Sequence, residues 1–401
     1  RFVMSKINIR SFSNENEDGA PDIVGVTTFS ATSFFVPTRG TTAERPSEHV
    51  EVGSIRFNTD IANLEYYRGK TLGWSQFELI DPDLGGGTGS NLGLGTRGIK
   101  GGGGNPSTDV IEFFTLSTLG NSQDFGNLTA SGKAQSGASS RTRGLFAASD
   151  SPNSNRIDFI TIASAGIDAQ DFGDIASGAQ RHANGFSNGV RAFFAGGYGG
   201  SPSPGDCNII DHVLIAQTGD TVDFGDLSYS MTNGGSCASS TRGIVAGGQN
   251  PGYVNNIDHI TMSTMGNQVD RGGDLTVARR TLGAASNSTR GIFFGGQNAN
   301  PNSNAGLTNT IDFITIASGG DAQDFGDLTF GTNNGAINCM HGMASATRVV
   351  MPGGTAFPFG TDVNNIVYVE IATLGDSVDF GTLATRGTSG PSAFSNGHGG
   401  L

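Results

Sequence analysis

The side chains able to do chemistry are few, and most recur at fixed places in a repeating pattern. The six histidines are His49, His182, His212, His259, His341 and His398. His212 and His259 fall where other copies carry Phe113, Phe159, Phe313 or Tyr368. Two imidazoles on adjacent copies could ligate a metal, but Phe cannot, so the position reads as an aromatic packing site. The acids Asp171/Asp174, Asp223/Asp226 and Asp324/Asp327 raise the question of calcium. That ion takes about six to eight oxygens from a dense acidic loop, and these pairs are too sparse. Each Asp reads instead as a cap on backbone N–H groups in its own turn. Arg97, Arg143, Arg191, Arg242, Arg290 and Arg348 each precede a short apolar run. A site for sialic acid or another carboxylate would need several Arg converging with a Tyr and acids. One Arg per copy reads as a tie between neighbours, by a salt bridge or a hydrogen bond to a nearby Asp. Cys207, Cys237 and Cys339 form no C-x-x-C or zinc spacing and allow at most one disulfide. No Lys-Ser/Thr follows the glycine runs 85–87 and 101–104, and no Gly-x-Ser-x-Gly elbow in an α/β setting is visible. No catalytic constellation emerges, so the expectation is a non-enzyme with no cofactor and no metal.

The elements that hold these residues must tolerate 64 glycines in 401 residues. Gly costs about 1 kcal/mol in a helix interior, so short strands and turns are expected. Lys and Arg number 23 against 36 Asp and Glu, a net charge of −13. That balance argues against binding a nucleic acid backbone. No apolar run approaches the roughly 18 residues of a membrane-spanning helix. Arg1-Phe2-Val3 lacks the apolar stretch of a secretory signal.

One motif sets the period. Asp-Phe-Gly recurs around Phe125, Phe172, Phe224, Phe325 and Phe380, with a degenerate copy at Asp270-Arg271-Gly272-Gly273-Asp274. The Arg of each copy leads a short strand, often ended by Gly-Gly. An alternating segment such as Ile157-Asp158-Phe159-Ile160 supplies the next strand, and Asp-Phe-Gly another. Its leading Ile and the Phe stand 14 or 15 positions apart each time, as from Ile111 to Phe125 and from Ile157 to Phe172. A small-residue strand such as Gly283-Ala284-Ala285-Ser286 precedes the Arg. Four short strands per copy cannot bury both sheet faces alone, and stacking copies around an axis can.

A four-stranded unit with Gly-Gly ending its second strand and an alternating third strand resembles the Kelch-type β-propeller. The resemblance covers about residues 90–401, with Phe of Asp-Phe-Gly where that family places a Trp. It implies an all-β, six-bladed propeller over 91–401. Phe394-Ser395-Asn396-Gly397 repeats Phe186-Ser187-Asn188-Gly189, so the C-terminal strand should complete the first blade. Upstream, 1–35 reads as an extended arm, 36–80 as a small β module and 81–90 as a Gly-rich linker. In the module, Gly53-Ser54-Ile55-Arg56-Phe57, Leu64-Glu65-Tyr66-Tyr67 and Trp74 follow the lead-in Pro37 to Pro46. This order is similar to a module of bacteriophage tail fibres and other virion structural proteins, and implies attachment to other virion proteins, often as a trimer.

The gap from Gly-Gly to the third strand varies, from nine positions between Gly248 and Ile257 to fifteen between Gly296 and Ile311. Variable loops on a fixed scaffold are where recognition usually sits. The candidate recognition residues are Tyr198, Asp206, Asn250, Tyr253, Asn298, Asn302, Phe357 and Phe359. The expectation is a virion-surface tail fibre or adhesin that binds a host glycan or protein. The alternatives are a head-attached fibre or capsid decoration protein with a purely structural propeller, and a glycan-active propeller enzyme.

Overall fold

A computed structural model describes residues 37–47, 50–60, 63–76, 96–104, 106–150, 153–178, 181–199, 205–298, 306–329, 337–338, 341–356, 361–385 and 390–401. The arm, the linker, Asn302, Phe357, Phe359, Cys339 and His49 lie outside them. The chain divides into two compact units, 1–80 and 81–401. The described residues are all-β, with one 3-10 turn at Thr42–Glu44. No helix among them is long and apolar enough to cross a membrane.

In the first unit, Ile55–Asn58, Asn63–Tyr67 and Trp74–Gln76 form an antiparallel meander. The lead-in adds a fourth strand, Arg39–Gly40, parallel to Ile55–Asn58. Its polar residues fasten it there. Asn58 donates to Thr42 Oγ1 at 3.0 Å, Arg56 to the Thr41 carbonyl at 3.0 Å and Thr42 N–H to Asp60 at 2.8 Å. Arg45 pairs with the buried Glu65 at 2.6 Å, and the Trp74 indole donates to the Pro46 carbonyl at 3.1 Å.

Among the described residues, the second unit holds six antiparallel sheets of the four-strand order, besides a two-stranded hairpin. In sheet two the strands are Ser136–Ser139, Arg143–Asp150, Asn153–Thr161 and Gln170–Asp174. Sheet three runs Asn184–Ser187, Arg191–Ala195, Ile209–Leu214, Val222–Asp226. Sheet four runs Gly235–Ala238, Arg242–Ala246, Asn256–Thr261, Val269–Asp274, and sheet five Gly283–Ser286, Arg290–Phe294, Thr310–Thr315, Gln323–Asp327. In sheet six the first strand is split into Ile337–Asn338 and Met343–Ala344, before Arg348–Ala356, Thr361–Glu370 and Val378–Thr382. Sheet one spans the sequence: Ser392–Ser395 pairs with Arg97–Gly101, followed by Thr108–Thr115 and Gln123–Gly132.

The core lies between successive sheets. Phe113 and Phe125 of sheet one pack with Ile160 and Ile162 of sheet two, and Phe380 and Leu383 of sheet six with Phe114 and Leu116 of sheet one. Third strands are therefore buried on both faces, alternate residues serving opposite neighbours. First strands touch in the order one, two, three, four, five, six and back to one. Ser187 Oγ donates to the Ser139 carbonyl at 2.7 Å, Ser139 Oγ to that of Ser395 at 2.8 Å, and Ser286 Oγ to that of Ala238 at 2.7 Å. Side chains there must be small for strands to approach so closely, which is why these segments are Gly-, Ala- and Ser-rich.

Glycine in Asp-Phe-Gly has a local cause. Each third strand shifts register against its fourth, as between Ile210 and Asp211, and Gly225 sits there at φ 146°. A Cβ on Gly225 would lie 2.3 Å from the Gly266 carbonyl oxygen of the next sheet. Sheet four has the longer irregularity: Ile257 pairs with Gly273 but Asp258 with Asp270, one more residue than in sheet three.

Candidate functional site

The anchors come first because they place the loops. Phe125, Phe172, Phe224, Phe325 and Phe380 are all buried. Each meets the aromatic position of its third strand edge-on, with centroids 5.4–6.0 Å apart from His212–Phe224 to Phe113–Phe125. His212 thus stands where Phe stands elsewhere, buried, its pKa lowered chiefly by desolvation. His259 is buried at the same place in sheet four. Among the described residues, no group of three His, Cys, Asp or Glu could hold a metal. Burial pushes the thiols of Cys207 and Cys237 up to about 11 and about 12.

The arginines tie neighbouring sheets, but to backbone rather than to Asp. Arg143 donates to the Ile215 and Ala216 carbonyls at 3.2 and 3.0 Å, Arg290 to Ile371 and Ala372 at 2.8 and 3.4 Å, and Arg348 back to Leu116 and Ser117 at 3.4 and 3.2 Å. Arg97 and Arg242 reach Ile162 and Ile316 in the same way. A guanidinium can satisfy two carbonyls at a strand end that has run out of partners. Four of them also lie over aromatic rings at 4.7–4.9 Å, Arg97 on Phe113, Arg143 on Phe159, Arg290 on Phe313 and Arg348 on Tyr368. Arg191 occupies the equivalent start of its strand.

The expected role of the Asp-Phe-Gly carboxylates is corrected too. Asp171, Asp223 and Asp324 are exposed and accept no backbone N–H among the described residues. The caps come from the next sheet's turn: Asp220 accepts Asp174 N–H at 2.9 Å and Asp376 accepts Asp327 N–H at 2.9 Å. A second set of acids, unforeseen from the sequence, sits buried on the third strands. Asp158 accepts Thr129 Oγ1 at 2.7 Å, Asp258 accepts Ser228 Oγ at 2.6 Å, Asp312 accepts Thr276 Oγ1 at 2.6 Å, and Glu112 accepts Thr385 Oγ1 at 2.7 Å. Each hydroxyl belongs to the preceding sheet. Their signal was an acid at one offset in the alternating segment, with a Ser or Thr soon after Asp-Phe-Gly.

The loops between second and third strands lie against the connections that enter first strands. Tyr198 bridges both Arg181 and Asp206, Gln249 bridges Thr232, and Gln297 bridges Arg280 and Leu307. Asn250 belongs to a small hairpin, Gln249–Asn250 with Gly252–Tyr253. Tyr198, Asp206, Asn250 and Tyr253 are half-buried, and Asn298 is exposed. Burial raises the Asp206 carboxyl. Arg181 covers Tyr198 at 4.5 Å and Arg280 covers Tyr253 at 5.2 Å.

Inside these loops an arc of main chain runs from sheet to sheet. Ala134 N–H donates to the Gly390 carbonyl at 2.8 Å, His182 to Ala134 at 3.1 Å, Asn233 to His182 at 3.2 Å and Thr281 to Asn233 at 2.6 Å. All five residues have left-handed backbone, φ 53–69°. At the other end of the first strands lies a cavity of about 50 Å³, lined by Ser139, Ser187, Ser286 and Ser395 and bounded by His398. A water needs at least about 10–15 Å³, so this space has room for a few waters and is too small for a sugar. The sequence matches no known protein family and no curated protein.

Proposed function

We propose that the chain is a non-enzymatic structural protein of a bacteriophage particle, a tail fibre or adhesin whose residues 81–401 form a six-bladed propeller that presents its variable loops to the host surface. The propeller reading is supported by the cycle of first-strand contacts and by the arginine ties that run from sheet to sheet and return from Arg348 to Leu116. The virion reading is carried by residues 37–76. Their meander and its clasped lead-in agree with the fibre-module pattern of the sequence. Tyr67 is the one buried apolar side chain among the described residues there, while Val52, Ile55, Leu64 and Leu72 are 36–72% exposed. So small a unit gains little from its own core, and those side chains suit contact with other virion chains.

The test is electron microscopy of phage particles labelled at this chain, with and without residues 1–80. Label on tail or fibre tips, lost on deletion of 1–80, is the expected result. Label on the head makes the chain a decoration protein, and no label on particles rejects the virion reading.

A further inference from the structure

The left-handed arc carries a charge pattern of its own. The residues just before Ala134, His182, Asn233 and Thr281 are Lys133, Arg181, Thr232 and Arg280. Three of these four equivalent positions are therefore cations, in a chain whose net charge is −13. Main-chain hydrogen bonds link the four successive sites, so the cations stand on one arc. The charges of Lys133, Arg181 and Arg280, and of one acid, Asp150, all act on the His182 ring. Asp150 pairs with Arg181 at 2.5 Å. Arg280 bonds to neutral oxygens, Gln249 Oε1 and Gln297 Oε1, the latter at 3.1–3.3 Å. Lys133 makes no ion pair among the described residues. The arc thus keeps two cations without a carboxylate partner. Two buried polar atoms beside it also lack hydrogen-bond partners among the described residues, His182 Nδ1 and Gln135 Oε1, the second on a residue 2% exposed. Desolvation holds the His182 pKa down at about 4, so the ring is neutral at pH 7. The half-buried rings of Tyr198 and Tyr253, held under Arg181 and Arg280, adjoin the same arc.

We propose that this arc binds an anionic saccharide, its carboxylate or phosphate held among Lys133, Arg181 and Arg280 beside His182. The site deepens the adhesin reading and rests on it for its biological role. A continuous polyanion is disfavoured by the acidic remainder of the chain, whereas a sugar with isolated charges meets the local cations and the aromatic rings.

The full chain is titrated calorimetrically with glucuronate, glucose 6-phosphate and neutral maltotriose. Binding of a charged probe, absent for maltotriose and weakened by added salt, is expected. The better of the two charged probes tells carboxylate from phosphate. Lys133→Gln should weaken that binding about tenfold with an unchanged melting temperature, and Arg280→Gln should weaken it similarly. Equal affinity for charged and neutral probes, no binding at all, or a Lys133→Gln chain that binds like the parent overturns the site. Particles that adsorb through this chain while the charged probes fail reject the site alone. Particles that adsorb equally well without the chain reject the adhesin reading and leave binding by the isolated chain standing.

Discussion

Single residues carry two distinct kinds of buried polarity. Asp258 is fully buried and takes both the N–H and the Oγ of Ser228, at 2.9 and 2.6 Å. Each such hydrogen bond contributes about 0.5–1.5 kcal/mol net, so losing both costs about 1–3 kcal/mol. Asp258→Ala should therefore lower the urea midpoint by that measure with little change in slope, and an unchanged midpoint would show that Ser228 finds another partner. Sheet six is the natural exception. Val367 replaces the acid, and Thr329 N–H bonds instead to Ser377 Oγ at 2.8 Å. His398 is the second kind. Gly400 N–H donates to its Nδ1 at 3.1 Å, so the ring proton is on Nε2, which donates to the Ser139 carbonyl at 3.2 Å. Burial lowers its pKa from 6.5 to about 4. Between those values the unfolded chain binds a proton that the folded chain resists. Stability present above pH 6.5 is thus lost as pH falls toward 4. His398→Gln should shrink the difference in urea midpoint between pH 7 and pH 4.5, and an undiminished difference would mean that this ring contributes nothing to it.

At the scale of the element, the joint between fourth strand and next sheet recurs through the repeat. The Phe224 carbonyl accepts Gly266 N–H at 2.9 Å while its ring packs with Ile260 and Met262 of sheet four. The same clasp joins Phe125 to Gly166, Phe172 to Gly219, Phe325 to Gly375 and Phe380 to Gly120. Phe224→Ala should cost about 3–5 kcal/mol. Gly225→Ala should cost at least about 1–3 kcal/mol, because φ 146° is strained for any other residue and the Gly266 carbonyl leaves no room. Chemical denaturation of both variants checks this, and a Gly225→Ala chain as stable as the parent would remove backbone strain as the reason for the motif's glycine.

On the scale of the whole molecule, one strand from the far end of the chain completes sheet one. Ser392–Ser395 pairs with Arg97–Gly101, and Asn396 Oδ1 accepts Arg97 N–H at 2.7 Å. Without it, Arg97–Gly101 becomes an open edge and Phe146 loses Phe394, whose ring centroid lies 4.9 Å away. Deleting 390–401 should remove the cooperative thermal transition and produce aggregates in size-exclusion chromatography. A monodisperse truncated chain with a normal transition would show that the other five sheets suffice. The loops are predicted to behave in the opposite way. Under the proposed adhesin role, replacing 297–310 by 249–256 should leave particle assembly intact and reduce adsorption to host cells, and unchanged adsorption would remove that loop from the proposed recognition surface.

The period, the strand order and the buried Phe of five of the six copies were legible because they depend on contacts within about fifty residues of chain, where spacing reports geometry directly. Ile157-Asp158-Phe159-Ile160 read as an alternating strand, and it is one. What alternation could not tell was that both faces are covered, so that Asp158 lies buried against Thr129 of the preceding sheet. The arginines were recognised as ties between copies, but their acceptors are carbonyls at a strand end, and a carbonyl leaves no mark in a sequence. Lys133, Arg181 and Arg280 share no motif. They become one arc only when left-handed residues of successive sheets are hydrogen-bonded side by side, and that adjacency comes from the packing of sheets, which the order of residues within any one repeat does not contain.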